Sequence, residues 1–552
     1  MTDAQAARHA ALAALAAGPF DLLVVGGGIN GAGIARDAAL RGLRTALVER
    51  GDLGSGTSSA SSKLVHGGFR YLEQGHIRLV LQACRERERL RRLAPHLVRP
   101  QRFLFPVYAG GPVSRAKLAL GLWAYDLLAG WWQVHRHRML SAAAVRRVEP
   151  ALRTEGLRGG GLYWDARTDD ARLVLETALA AAEAGAVIVS YAEVTGFLKE
   201  AGRIVGARVR ERLGGNELDV RARVVVNASG PWMDAVATLD EPGPPRLRLT
   251  KGVHLVVPRA RVQNRDAVVL HALRDRRVLF VIPWGEHALI GTTDTDHPGG
   301  PDAPCTVEPD DVAYLLETVN HYFPAARLAP ADVVSAFAGL RPLVAPEPGR
   351  RFLPSDVSRE EAIFVSRAGL ISLAGGKLTT YRLVAAEVVD RVIAALGRLG
   401  DPRRFGRSRT ATLPLPGGRD HPARLAAEAL ARDGNGLPPA VVGHLAHRYG
   451  SRLGEVLALL GRDRTLAAPI AAPLPDPRAE VVAAVEREWA LTPEDVLRRR
   501  THVALCDPEQ GTGVAAEVAA LMARALGWDP ARIRGAADAY VRAVAEARRR
   551  WR

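Results

Sequence analysis

Gly26, Gly28 and Gly31 form the pattern G-x-G-x-x-G directly after the apolar run "DLLVV" and directly before "INGAGIARDAALRGL", with Gly33 following. In a strand-turn-helix context the first glycine permits a tight turn and the second lets the backbone approach a pyrophosphate. The third lets helix close on strand. The phosphates then face the helix N-terminus. Glu49 ends the next strand, "TALVE", 21 residues beyond Gly28, where a carboxylate accepts from a ribose hydroxyl. An acid there disfavours a 2′-phosphate and hence NADP; FAD and NAD stay open on these residues alone. The loop that follows, "GDLGSGTSSASSK", offers Thr57, Ser58, Ser59, Ser61 and Ser62 to phosphate and sugar oxygens, an enclosure that suits a retained flavin.

That loop runs into "SSKLVHGGFRYLE", Ser61 to Glu73, which fits neither an amphipathic helix nor a strand. Ser61, Ser62 and Lys63 finish the cofactor loop, His66, Gly67 and Gly68 make a hinge-like crossing, and Arg70 and Tyr71 turn toward a substrate. A second backbone approach is "GGK", Gly375 to Lys377, followed by a helix whose N-terminus faces an electron-rich acceptor. The chain holds only five lysines, and Lys63, Lys251 and Lys377 stand beside such motifs. A compact ammonium differs from a planar guanidinium fork, so these positions draw attention. His254, in "TKGVHLVVP", alternates with apolar strand residues; a structural role competes there with catalysis. Arg341 in "AGLRPL" and Arg359 in "SDVSREEAI" could together clamp an anionic phosphate.

The elements that must position these groups follow from pattern. "DLLVV", the glycine turn and "TALVE" open a dinucleotide-binding βαβ unit. A long charged helix is expected over residues 77–98. A hairpin turns at Ala201–Gly202, and "ARVVVNASGPW" is another apolar strand. "GVHLVVPRA", "RRVLFVIPWG" and "HALIGTTD" read as short antiparallel strands of a second unit. "GLISLAGGKLTTYRLVAAEVVDRVIAAL" repeats the strand, glycine turn and helix, so the chain returns to its first unit near residue 370. After "LPLPGG", read as a linker, helices are expected around 421–431, 440–448, 452–460, 479–489, 511–526 and 533–550.

The 552 residues are too many for one core. The formal charge is +16. Arginine is spread along the chain and aromatics are only 5%, which argues against nucleic acid and leaves an anionic membrane surface or an anionic substrate. Cys84, Cys305 and Cys506 stand apart, form no metal-ligand pattern, and suit a reducing compartment. The alanine-rich N-terminus lacks the basic region of a signal peptide. "LALGLWAYDLLAGWWQV", Leu118 to Val134, is interrupted by Asp126 and reads as a buried helix, or as an interfacial segment anchored by Trp123, Trp131 and Trp132.

Taken together and in order, "DLLVVGGGINGAGIARDAALRG", "TSSASSKLVHGGFRYLE", "DDARLVLE", "VNASGPW", "KGVHLVVP", "FVIPWG", "IGTTD", "GLRPL" and "GGKLTTYR" resemble the FAD-dependent glycerol-3-phosphate dehydrogenase family. The resemblance covers residues 20–390 and continues into the helical end. It implies an α/β protein with a glutathione-reductase-like FAD-binding domain, a mixed or antiparallel-sheet substrate domain and a C-terminal all-helical domain. The implied division is 20–75 for the first FAD segment, 76–225 mixed, 226–350 mainly substrate domain, 351–400 back in the FAD domain, and 410–552 helical.

It also implies oxidation of sn-glycerol 3-phosphate to dihydroxyacetone phosphate, with hydride passing from C2 to flavin N5 and electrons to membrane quinone. The implied setting is a homodimer, peripheral on the cytoplasmic face of the membrane. By motif, Arg70, Tyr71, His254, Arg341, Arg359 and Lys377 line the substrate. His254 is the expected base, with Lys377 or Arg70 stabilising the alkoxide. Flavin contacts fall on Gly26, Gly28, Gly31, Glu49, Thr57, Ser58, Ser59, Ser62, Gly376, Leu378 and Thr379; no metal is implied. The alternative is an oxidase passing electrons to O2, a type that carries an extra internal segment for which this chain has no obvious room.

Overall fold

The computed structural model describes residues 2–73, 75–130, 135–345, 361–432 and 436–551, apart from the side chains of Arg70 and Glu73. Arg359, Trp131 and Trp132 lie outside the described residues. The strand Phe20–Val25, FDLLVV, is buried at every position. A strand covered on both faces has no use for polar alternation. It lies between Thr45–Val48 and Glu217–Asn227, parallel to both. Beyond Glu217–Asn227, again parallel, comes Ile371–Ala374, so the chain does return to its first sheet where expected. The helices Ile29–Leu40, Asp170–Glu183 and Tyr381–Arg398 bury their small residues together beside it. Gly33 is needed for that closeness, since a Cβ there would stand 2.9 Å from the Tyr381 ring. The carboxyl ends of these parallel strands lie side by side, where open α/β sheets bind ligands.

The second sheet has ten strands and is mainly antiparallel. Leu247–Pro258, His287–Gly291 and Val278–Trp284 neighbour one another in it, as their patterns predict. It also takes in Arg99–Tyr108, Leu157–Arg167 and the two-residue strand Leu64–Val65. Leu64–Val65 belongs to "SSKLVHGGFRYLE", so that segment passes physically from the first sheet to the second. The fold is thus α/β with mixed sheets and a helical C-terminal domain.

Several local expectations are corrected. The charged helix starts at Ile77 but ends at Leu93. Pro95 forbids helical backbone at Ala94, which sits at φ −142°, ψ 60°. The supposed linker "LPLPGG" is not loose: Pro416, Gly417 and Gly418 are buried, and the Gly417 amide donates to Glu176 at 2.9 Å. A further turn of helix, Asp495–Arg500, was not foreseen because it has no apolar period. Val496 and Leu497 are buried in the core of the helical domain, and Arg499 and Arg500 grip Asp52 in the cofactor loop at 2.5 to 2.8 Å. Asp3–Ala16 is also helical and buries Leu15.

The helical domain is joined to the first sheet by buried ion pairs. Arg172 donates two bonds to Glu488, at 2.7 and 2.6 Å, with neither side chain exposed, and lies 4.2 Å from the Tyr449 ring centroid. Outside the helical domain, Arg382 on helix Tyr381–Arg398 is forked in the same way on Glu86 of helix Ile77–Leu93, at 2.6 and 2.7 Å. Such pairs repay their desolvation only when intact. Glu488→Ala, which strands Arg172 in the interior, should therefore cost about 3–5 kcal/mol in urea denaturation. The double replacement Arg172→Met with Glu488→Leu should cost much less.

Candidate active site

A cavity of ≈ 720 Å³ opens at the carboxyl ends of the parallel strands, lined by Gly26, Gly28, Glu49, Thr57, Ser58 and the run Gly375–Leu378. Gly26 has φ +108°, and a Cβ on it would meet the Ala228 carbonyl at 2.7 Å. A Cβ on Gly31 would stand 1.9 Å from the Gly26 carbonyl, so Gly31 serves the packing of helix on turn. Gly28 differs: among the described residues the only neighbour within 4 Å of a built Cβ is Ser58 Oγ, at 3.2 Å. A side chain there would occupy the cavity. Ser58 Oγ accepts from the Ile29 amide at 3.0 Å, at the start of the helix. Glu49 accepts from the amides of Gly27 and Gly51, at 2.6 and 2.8 Å. Burial pushes its carboxyl up and these two amides oppose the shift. A carboxylate has about four acceptor positions, so capacity remains for a ribose hydroxyl. Asn30 adds a buried Oδ1 without a hydrogen-bond partner on the same wall. The cradle fits a dinucleotide.

The segment from Ser61 onward divides this cavity from a second one. Ser61 donates its amide and hydroxyl to Asp170, at 3.1 and 2.7 Å, and Lys63 Nζ reaches the other oxygen of Asp170 at 2.5 Å. The Gly67 amide donates to Asp165 at 3.0 Å, and Asp165 is fixed in turn by Arg87 at 2.6 Å and Tyr125 at 2.9 Å. Thr379 Oγ1 accepts from the His66 amide and donates to its carbonyl, at 3.1 and 3.2 Å. Four of the expected cofactor contacts, Gly31, Ser59, Ser62 and Thr379, do not line the first cavity. Thr379 braces His66; Ser59 offers its carbonyl to Lys63 at 3.4 Å; Ser62 faces the second cavity. Thr57 lines the first cavity while donating to the Leu340 carbonyl at 2.6 Å.

The second cavity, ≈ 590 Å³, carries Ser62, His66, Tyr71, Asp165, Arg277, Thr292, Asp294 and Arg341 on part of its wall. Ser62 Oγ is 2.8 Å from His254 Nε2. His254 is buried, stacked on Phe337 with ring centroids 5.0 Å apart, and reaches the cavity through Ser62 rather than directly. Burial first, then Arg341 and Lys63, hold its pKa well below the usual histidine range, so the ring is neutral at neutral pH. Arg341 lies over Gly252, which has no Cβ to obstruct it. It donates to Thr292 at 2.8 Å and pairs with Asp294 at 3.1 Å. Asp294 also pairs with Arg277 at 3.1 Å. Lys377 Nζ, on the wall of the first cavity, sits 3.8 Å from the ring centroid of Tyr71, on the wall of the second. The two cavities adjoin at that contact.

Arg277 and Asp294 are missed by sequence reasoning. Arg277 stands in "RDRRV" beside Arg276, and only the register of strand Val278–Trp284 selects it. Lys251, singled out in sequence, instead pairs with Asp311 at 2.6 Å, away from both cavities. The remaining wall of the second cavity is apolar, with Phe69, Leu72, Leu120 and Leu127. Leu120 and Leu127 belong to the helix Arg115–Ala129 and are 74% and 82% exposed, with Trp123 at 61% between them.

The family model described as FAD dependent oxidoreductase matches residues 21–382, and that of the C-terminal domain of alpha-glycerophosphate oxidase matches 408–533. A glycerol-3-phosphate dehydrogenase of Mycobacterium leprae is 42% identical over 517 residues, covering 92% of this chain and 85% of its own. The aerobic glycerol-3-phosphate dehydrogenase of Staphylococcus haemolyticus is 37% identical, over 87% of this chain and 86% of its own. The structure of the glycerol-3-phosphate dehydrogenase from Bacillus halodurans, complexed with FAD, superposes with a TM-score of 0.81 at 32% identity, covering 98% of this chain and 97% of that one.

Gly67 is the position where the dividing segment has least room. A Cβ there would come within 2.2 Å of Tyr125 Oη and 2.4 Å of Cys84 Sγ, both buried. Gly67→Ala should cost about 1–3 kcal/mol by overpacking, and the purified protein should hold less than one cofactor per chain. The checks are thermal melting and cofactor absorbance.

Proposed function

The chain belongs to the FAD-dependent glycerol-3-phosphate dehydrogenase family, and on that premise we propose that it oxidises sn-glycerol 3-phosphate to dihydroxyacetone phosphate in the second cavity and passes the electrons to a membrane quinone. The observation that carries this reading is a single cavity bounded both by Ser62, Arg277 and Arg341 and by the exposed apolar residues Leu120 and Leu127. FAD, when bound, supplies the hydride acceptor. Gly28, Glu49, Thr57, Ser58 and Gly376–Leu378 are the groups that hold it.

The chain's own groups do the rest. Arg341 and Arg277 meet the substrate phosphate, with Asp294 fixing both guanidinium groups in place. Ser62 accepts the proton of the substrate hydroxyl and hands its own to His254 Nε2, 2.8 Å away. His254 thus acts as the base through Ser62, and its lowered pKa keeps Nε2 free to accept. Lys377, over Tyr71, places a cation where the two cavities adjoin and favours the developing alkoxide. Arg70 and Arg359 keep the substrate roles that the resemblance gives them.

Leu120, Trp123 and Leu127 form one stripe at helical spacing, next to Ile77, which is 57% exposed. No helix among the described residues is long and apolar enough to cross a membrane. An apolar stripe of this kind seats in the interfacial layer of a bilayer. The quinone then enters past Leu120 and Leu127 from the lipid side.

Anaerobic addition of glycerol 3-phosphate should bleach the flavin, and a short-chain quinone should restore its colour faster than air does. Absence of bleaching would refute the substrate. Equally fast recovery in air with stoichiometric peroxide would make the protein an oxidase. Arg341→Ala should lower kcat/KM for glycerol 3-phosphate about 10- to 150-fold, the worth of a charge-assisted hydrogen bond, with little effect on residual glycerol turnover. Equal small losses on both substrates would remove Arg341 as a phosphate group.

A further inference from the structure

A third cavity, ≈ 570 Å³, lies where the second sheet meets the helical domain. Arg99 and Arg167 line it, and they are direct partners across the antiparallel ladder of Arg99–Tyr108 and Leu157–Arg167. Like charges directly opposite on neighbouring strands repel and destabilise the sheet. Among the described residues neither guanidinium has a carboxylate in salt-bridge contact, and only Asp169 acts on Arg99 from a distance. Arg99 Nε is buried without a hydrogen-bond partner, and Arg167 makes one bond, to the Pro283 carbonyl at 3.1 Å.

The carboxylates on the same wall are engaged with other groups. Asp169 is 2.7 Å from His502, Asp476 is 2.5 Å from Arg448, and Asp507 accepts from the Gly511 amide at 2.8 Å. Glu286 stands 3.7 Å from Arg259. The field of the two guanidinium groups is felt around them. Burial and then Arg167 bring the Arg99 guanidinium down to about 10, against an opposing pull from Asp169. Burial, Arg99 and Arg167 bring His447 down to about 4.

We propose that this cavity is a binding site for a small phosphate-bearing anion, held between the paired guanidinium groups of Arg99 and Arg167 and distinct from the substrate site. Two adjacent forks match a dianionic phosphate in charge and in planar, paired hydrogen-bond geometry. The volume exceeds that of a phosphate alone. Trp284 and Pro473 on the same wall leave an apolar surface for the organic part of the ligand. Because strands and a turn of the second sheet and the helix carrying His447 all border it, an occupant ties the second sheet to the helical domain.

The test uses FAD-loaded protein and inorganic pyrophosphate as the probe, read by calorimetry and by thermal melting. Wild type should bind it saturably and melt higher in its presence. Arg99→Gln and Arg167→Gln should each weaken binding at least 10-fold. They should melt higher than wild type when the probe is absent, because one of two opposed charges is gone, and should keep wild-type kcat/KM for glycerol 3-phosphate. Arg167→Lys, which keeps the charge and loses the fork, should weaken binding without that gain in melting temperature. Unchanged binding in Arg99→Gln, or a lower melting temperature of that variant without probe, would overturn the proposal. So would binding that persists in Arg99→Gln and vanishes in Arg341→Ala, since it would put the probe in the substrate cavity.

Discussion

Two buried carboxylates, Asp165 and Asp170, hold the segment that everything at the site depends on. Asp170 takes Ser61 and Lys63; Asp165 takes the Gly67 amide. Both come from one stretch, the end of strand Leu157–Arg167 and the start of helix Asp170–Glu183. Between these anchors the backbone leaves the cofactor cavity, joins the second sheet at Leu64–Val65, and presents Ser62 to the other cavity. A charge buried with its partner is rigid because either partner left alone is costly. That rigidity lets one short segment serve two cavities without merging them.

The same device fixes the helical domain. Asp52, in the cofactor loop, is gripped by Arg499 and Arg500, and Arg172 is forked on Glu488. Arginine here is therefore partly an interior residue. The net charge of +16 reads in composition as a property of the surface, yet Arg87, Arg172, Arg382, Arg448 and Arg500 are buried and paired. Composition counts charges without locating them. Arg99 and Arg167 stand out against this background because, among the described residues, no carboxylate is in salt-bridge contact with either.

Much of the fold was legible. Continuous apolar runs bounded by glycine turns report strands buried on both faces, and the repeat of that pattern near residue 370 reports the chain's return. Glycine positions were legible because each answers to a local backbone need, as at Gly26. The side of the segment on which each hydroxyl falls was not. Ser61 and Ser62 are adjacent in a bent stretch that ends in Lys63 at φ +56°, and one meets Asp170 while the other meets His254. Nor could sequence separate Arg277 from its neighbours, or foresee that "LPLPGG" is buried, since both depend on contacts distant in the chain.

The central claim is that Ser62 belongs to the substrate side of this division and relays a proton to His254. The direct measurement is the rate of flavin reduction by saturating glycerol 3-phosphate, under anaerobic rapid mixing, in Ser62→Ala protein of known FAD content. The account predicts full FAD content and reduction slowed by about 10²-fold or more, the scale of general base catalysis. Loss of FAD with a normal rate in the molecules that retain it would contradict it, and so would an unchanged rate at full occupancy.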